Sequence, residues 1–509
     1  MFPPISKLFR LRRTSGSIVA SALAALLLAT TPSTVVPQNL PNLGGTERSD
    51  LSPVMERKLG EQIMHDIRRD RDYLDDAPLL EYLNNFGASL VAARPEVRGE
   101  SGFDFFFFAV RDPALNAFAL PGGFVAVHSG LLLAAQNESE LASVMAHEIG
   151  HVSQRHIARM IGSQKQDALI PLASLVLAAL TARASPDLAS ASMMGGQGLA
   201  IQRQLNFSRD AEREADRVGL EILKDGRFET SGMIAFFGRL QSATRSYGEG
   251  APPYLRSHPM TTERIADIES RIRGERYRQH ADSLDFQLIR ARARILQDDT
   301  AQGLRDASII FNDPALHKNP AQKIAARYGL ALVAQKQGNT VLAESLLAEA
   351  QSAARGMPPS SVLASLGIEL RLAANQGAGA VREATQARSL FPLSRGIALQ
   401  YADALLASRQ ADEAVRFLRD QAQLYRADPR VQDRLAKAYS AQGKQALQHM
   451  ALAESYALAG SLPSALDQLQ IARRAPDASF YDQSMIDARE REFQARRREE
   501  MKEEKERPR

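Results

Sequence analysis

The sequence predicts a mostly helical chain with one small β-sheet in its first half and an all-helical repeat in its second. Three observations carry this prediction. A helix-period run over residues 138–161 holds two histidines four apart; an aromatic-rich run, 103–110, and a second run, 118–127, read as strands. From 282 to 487, helix pairs rich in alanine and leucine recur around glycine turns.

Composition bounds the class. With 44% hydrophobic and 24% charged residues the chain is an ordinary globular one, and 509 residues suffice for two or three domains. The net charge of +4 is a small arginine excess spread along the chain, which argues against nucleic acid as a partner. There is no cysteine, so neither a disulfide nor a lipid-modified cysteine is available.

Taken in order, Lys7, Arg10, Arg12 and Arg13 precede an apolar stretch over 18–28, followed by the small and polar Thr30-Thr31-Pro32-Ser33-Thr34. This predicts a secretory signal over 1–36, too short for the ~20 apolar residues of a spanning helix. An N-terminal membrane anchor is the competing reading. Residues 37–50 read as a polar linker. Two amphipathic helices follow, one with Ile63, Met64 and Ile67, the next with Leu79, Leu80, Tyr82, Leu83 and Leu90. The strand over 103–110 closes at Asp112-Pro113, and the run 118–127 is interrupted by Pro121-Gly122-Gly123. That second run has two readings. It is either an edge strand whose Phe124, Val125, Ala126 and Val127 hold an extended substrate peptide by strand addition, or a plain hairpin strand.

Next comes Ala146-His147-Glu148-Ile149-Gly150-His151, an H-E-x-x-H motif. Asn137 is placed to cap this helix, with Glu140 three residues on. Positions i and i+4 share a helix face, so His147 and His151 can point two imidazoles at one metal ion with Glu148 beside them. A catalytic zinc needs a third protein ligand. The candidate is the run Phe207-Ser208-Arg209-Asp210-Ala211-Glu212-Arg213-Glu214-Ala215-Asp216. There Glu212 and Asp216 share a face, one to bind metal and one to orient a ligand histidine, while Glu214 and Glu221 point elsewhere.

These motifs resemble the zinc endopeptidases related to the CAAX prenyl protease, whose signature is H-E-x-x-H followed by a helix bearing E-x-x-x-D. The run Asn116-Ala117-Phe118-Ala119-Leu120-Pro121-Gly122-Gly123, with Val125-Ala126-Val127 and Ser129-Gly130-Leu131-Leu132, is similar to the strand and turn before the metal helix in that family. The resemblance implies a zincin-type α+β metallopeptidase domain over 51–275 and one Zn2+ per chain on His147, His151 and Glu212. Bound water would be acidified to about pKa 7 and deprotonated by Glu148, with Asp216 in support. It further implies that His258, in Ser257-His258-Pro259, is a switchable fourth ligand that self-inhibits the enzyme, with Arg264 a helper near the site.

Between the two metal helices, residues 168–198 are apolar and then small and Met-containing, either a buried helix hairpin, a mobile lid, or a surface that meets a membrane or a client chain. In the second half, Tyr328 to Leu347, Tyr401 to Leu418 and Tyr456 to Leu469 each read as helix, turn and helix. A period near ~34 residues is the tetratricopeptide arrangement, assigned to 282–487. Residues 489–509 form a charged tail. With an export signal and helical repeats, the resemblance narrows to periplasmic members of the family. That implies cleavage of unfolded or misassembled outer-membrane β-barrel proteins, help with their assembly, contact with the outer-membrane assembly machinery through the repeats, and room for peripheral membrane contact. The alternative is a non-proteolytic chaperone or adaptor that binds partners through its repeats.

Overall fold

Helix α1 (Pro53–Ile67) begins where Ser52 Oγ accepts the Met55 amide at 3.3 Å, with proline at the first turn. Asp76 caps α2 (Ala77–Ala93) in the same way, and Leu79, Leu83, Phe86 and Leu90 turn into the core. The computed structural model describes residues 51–99, 102–162, 209–246, 253–275 and 278–506. The expected signal (1–36), the linker (37–50) and the candidate lid (168–198) lie outside the described residues. No described helix is long and apolar enough to cross a membrane.

Strands β1 (Phe106–Val110), β2 (Ala117–Leu120) and β3 (Phe124–His128) form a sheet in the order β1-β3-β2. β3 is parallel to β1 and antiparallel to β2. The run read as one strand over 118–127 is two, because Gly122 and Gly123 turn the chain at φ of +79° and +93°. A Cβ on Gly122 would come within 2.8 Å of Arg57 Cα, so only glycine fits the turn. The split corrects one expectation. Phe124, Val125, Ala126 and Val127 form the buried central strand, with both neighbours hydrogen-bonded to their backbone, so they have no edge on which a substrate peptide could add. β1 is the other outer strand, but Asn84 bonds both Phe107 N and Phe107 O and Leu74 N bonds Ala109 O, so among the described residues the open edge belongs to β2. Asn116 O accepts from His128 N at 3.0 Å, so by antiparallel alternation Ala117 and Ala119 direct their N–H and C=O groups outward.

After a short α3 (Ser129–Ala134) comes α4 (Glu138–Ser153), capped as expected by Asn137 Oδ1 on Glu140 N at 2.9 Å. It ends eight residues earlier than its periodicity suggested, because Arg155 takes a left-handed φ of +51° and a separate helix, α5 (His156–Gly162), starts beyond it. Helix α6 (Arg209–Asp225) lies directly against α4. A Cβ on Gly150 would meet Ala215 O at 2.9 Å, and one on Gly219 would meet His147 N at 3.1 Å. Two glycines therefore let the backbones touch where the motifs cross. Helices α7 (Ser231–Ser246), α8 (Pro253–Ser257) and α9 (Thr262–Ile272) close the other side.

The second half is helical throughout: α10 (Leu284–Gln297), α11 (Ala301–Asn312), α12 (Pro320–Lys336), α13 (Thr340–Ala353), α14 (Ser361–Ala373), α15 (Gly377–Leu390), α16 (Arg395–Ala407), α17 (Ala411–Leu424), α18 (Pro429–Ala441), α19 (Gln445–Leu458), α20 (Leu462–Arg474) and α21 (Phe480–Glu506). α14, α16 and α18 begin 34 residues apart, and left-handed residues Asn375, Arg409 and Gly443 make the turns inside their pairs. The third unit expected from sequence is out of phase. Gly460 follows Gly443 by 17 residues, so α19 is at once the second helix of one pair and the first of the next. This half packs on α2: Arg292 bonds Asp76 at 2.7 Å and Glu369 at 2.9 Å, and Glu81 Oε2 accepts from Ser394 Oγ at 2.8 Å.

Candidate metal centre

The first two histidines come from the C-terminal half of α4, a helix whose residues are almost all buried. His147 Nε2 and His151 Nε2 are 3.0 Å apart. The α6 carboxylate Glu212 meets both, at 3.5 Å from each Nε2, and His258, just past α8, brings Nδ1 to 3.0 Å from Glu212 Oε1 and 3.4 Å from His147 Nε2. The four donor atoms all lie within 4.8 Å of one another. Corners of a tetrahedron centred ~2.0–2.1 Å away are about 3.3 Å apart, so these spacings fit a four-coordinate ion bound by nitrogen and oxygen.

Glu148 sits beside the cluster and not in it. It is fully buried, neither oxygen accepts a hydrogen bond of normal geometry, and the nearest imidazole nitrogen, His258 Nε2, is 3.6 Å away. Burial raises its carboxyl above the usual range against the pull of His258 and His147, with the Ala119 amide of β2 alongside. Burial would also raise Glu212, but His258 and His147 outweigh it and hold that carboxyl well below the usual range. For His147, burial opposes protonation, yet Asp216 and Glu212 lift it to about 9. Burial, reinforced by His147, pushes His151 well below its ordinary value. A cation held by the cluster would keep both imidazoles neutral.

Asp216 stands off the cluster, with Oδ1 at 3.0 Å from His147 Nδ1. Arg264 grips it with two parallel bonds of 2.7 Å, touches Glu212 Oε2 at 2.7 Å and donates to Pro259 O at 2.9 Å. All the expected residues except Phe124–Val127 thus converge, and none of those that converge is more than 3% exposed.

Sequence reasoning missed two groups. Tyr254 packs at a tilt against His258, centroids 4.7 Å apart, with a buried hydroxyl that lacks a hydrogen-bond partner among the described residues. Nothing in its spacing marks it out. His156 faces His151 and bonds Glu214, so the acidic residue expected to point elsewhere ends on a histidine next to the site. A third histidine five beyond the motif was the available signal.

The model of peptidase family M48 matches residues 88–272. The beta-barrel assembly-enhancing protease of Escherichia coli K12 is 30% identical over 480 residues, spanning 94% of this chain and 96% of its own. The chain belongs to peptidase family M48. With its buried His147, His151 and Glu212 it is an M48 metallopeptidase. A Vibrio cholerae M48 relative is 41% identical over 256 residues, 50% of this chain and 52% of its own length. The mitochondrial metalloendopeptidase OMA1 of Schizosaccharomyces pombe is 31% identical over 173 residues, 34% of this chain and 48% of its own. A chain in the crystal structure of the APC/C hetero-tetramer Cut9-Hcn1 matches 65% of this M48 chain and 76% of its own, at 15% identity and a TM-score of 0.25, too slight to bear on the argument.

Proposed function

We propose that this chain is a zinc-dependent endopeptidase of the bacterial periplasm that cleaves misassembled outer-membrane β-barrel proteins and assists the assembly of others. The observation that carries the peptidase chemistry is the position of Glu148, a buried carboxylate that touches the four-ligand cluster without joining it. A structural metal would have no use for such a group. The link to β-barrel assembly rests on the name of the Escherichia coli relative, aligned along nearly its whole length, and the compartment on the signal-like pattern of residues 1–36.

One zinc ion per chain, held by His147, His151 and Glu212, would polarise the scissile carbonyl and acidify a water molecule. Glu148, buried beside the cluster and outside it, would take a proton from the attacking water and pass it to the leaving amine. Asp216 orients His147 through Nδ1, and Arg264 keeps Asp216 ionised and in place. The outward N–H and C=O groups of Ala117 and Ala119 on β2, next to Glu148, are the edge on which an extended peptide adds. His258 is a switchable ligand, and the loop carrying it withdraws before turnover. The helical repeats hold protein partners, among them the outer-membrane assembly machinery.

The test is cleavage of an unfolded outer-membrane protein, with and without a chelator, by wild type and Glu148→Gln. We expect chelator-sensitive cleavage by the wild type and a loss of 10²–10⁴-fold in the variant, with stoichiometric zinc retained. Zinc uptake without any cleavage would instead favour a repeat-based adaptor.

A further inference from the structure

The two α4 histidines direct Nε2 at the cluster, so each has a second ring nitrogen that must be satisfied in a buried place. For His147 the facing group is a carboxylate, Asp216 on α6, with Oδ1 at 3.0 Å from Nδ1. His151 is served by another imidazole. Its Nδ1 lies 2.9 Å from His156 Nδ1, the rings tilted at 73°; His156 Nε2 is 3.0 Å from Glu214 Oε2, and Arg159 Nη2 pairs with that same oxygen at 2.7 Å. On α6, Glu214 is about 200° around the axis from Glu212, and His156 spans the gap that results.

An ionised carboxylate only accepts, so the proton of a neutral His156 sits on Nε2 and its Nδ1 is a lone pair. Two nitrogens 2.9 Å apart share one proton, which must then come from His151 Nδ1. That leaves His151 Nε2 as a lone pair pointing into the cluster, the form a metal ion accepts. The turn that returns His156 to His151 is itself pinned. Arg155 adopts φ of +51°, donates to Glu56 Oε2 at 3.0 Å and bonds the Leu51 carbonyl.

We infer that His156 and Glu214 are positioning residues that fix the tautomer and ring orientation of His151, so that α6 anchors both metal-helix histidines, one directly and one through a bridging imidazole. This rests on the reading of His151 as a metal ligand. Neither residue touches substrate, and both act through His151.

The experiment is competition for zinc between the full-length chain and a chromophoric chelator at neutral pH. Alongside it, ¹⁵N shifts of the histidine rings are recorded in the metal-free chain, and far-UV circular dichroism checks the fold. His156→Ala should bind zinc about 10–100-fold more weakly. His156→Asn, whose Oδ1 can accept from His151 Nδ1–H, should recover most of that loss. Glu214→Gln, a partly exposed change that keeps the fold accessible to test, can donate to His156, reverse both tautomers and move the His151 proton to Nε2. Zinc affinity of His156→Ala within twofold of wild type, or an Asn variant no better than Ala, overturns the inference. A wild-type chain that takes up no zinc overturns the underlying metal-site reading instead.

Discussion

Arg264 Nη1 donates to the carbonyl of Pro259 at 2.9 Å, so the guanidinium that clamps Asp216 also holds the loop carrying His258. With Glu212 Oε2 at 2.7 Å as well, one side chain from α9 joins a carboxylate of the cluster, the carboxylate beside His147 and the loop that carries His258. Arg264→Ala would leave two buried carboxylates with only the neighbouring imidazoles to pair them, and should cost about 3–5 kcal/mol in urea unfolding of the metal-free chain. Arg264→Lys keeps the charge without the fork and should recover only part of the loss. Equal stability of wild type and Arg264→Ala would contradict this account.

The same loop sets a prediction for rate. The His258 ring occupies the cluster from one side and approaches Glu148 from the other, at 3.0 Å from Glu212 and 3.6 Å from Glu148. His258→Ala removes that occupant while His147, His151 and Glu212 remain. Cleavage of an unfolded test protein should rise, roughly tenfold for a closed state favoured by ~1.4 kcal/mol. Initial rates at matched zinc content measure it, and a fall in rate would mean that His258 serves the reaction.

Helix contact makes a third prediction. The crossing of α4 and α6 leaves no room at Gly150, where a methyl group would stand 2.9 Å from a carbonyl oxygen and 3.0 Å from Ala215 Cα. Backbone must move to admit it. Gly150→Ala should therefore destabilise by about 1–3 kcal/mol despite alanine's better helix propensity. Gly150→Val should also draw Glu212 away from the imidazoles, seen as sub-stoichiometric zinc by elemental analysis.

What could be read in the sequence was whatever depends on local spacing. His147 and His151 at i and i+4, Glu212 and Asp216 at i and i+4, and the Asn137 cap all follow from 3.6 residues per turn, and all appear where expected. Strand order does not follow from spacing, because β3 becomes central only through its parallel pairing with β1 across an intervening strand. The end of α4 was hidden for another reason. Residues 154–161 keep a helical composition, and the left-handed turn at Arg155 is held by Glu56 and Leu51, about a hundred positions away. That same turn delivers His156, so the missed boundary and the missed residue have one cause. The repeat phase slipped at α19 because a Gly-containing turn marks a helix hairpin without saying which pair it belongs to.

A last prediction concerns pH and the start of the metal helix. Glu138, the first residue of α4, accepts from Ser283 N at 2.9 Å and Tyr82 Oη at 3.0 Å and lies 3.3 Å from His280 Nε2. The hydrogen bond to Glu138 raises His280 above its ordinary 6.5, against partial desolvation. Burial would raise Glu138, but His280 and Ser283 outweigh it and lower it from 4.5. A raised histidine contributes stability that is complete below its unfolded pKa and lost as pH rises through the folded one. A lowered carboxylate contributes above its unfolded pKa and is lost as pH falls. Both contributions are therefore whole between about pH 4.5 and 6.5, and the histidine share disappears on the alkaline side. Because His280 is partly exposed, solvent screening limits the pair to no more than about 1 kcal/mol, a shift of about one degree in melting for a chain of this length. His280→Gln should lower the midpoint near pH 6 and converge on wild type by pH 9. Parallel melting curves across that range would show that the pair does not hold the helix start.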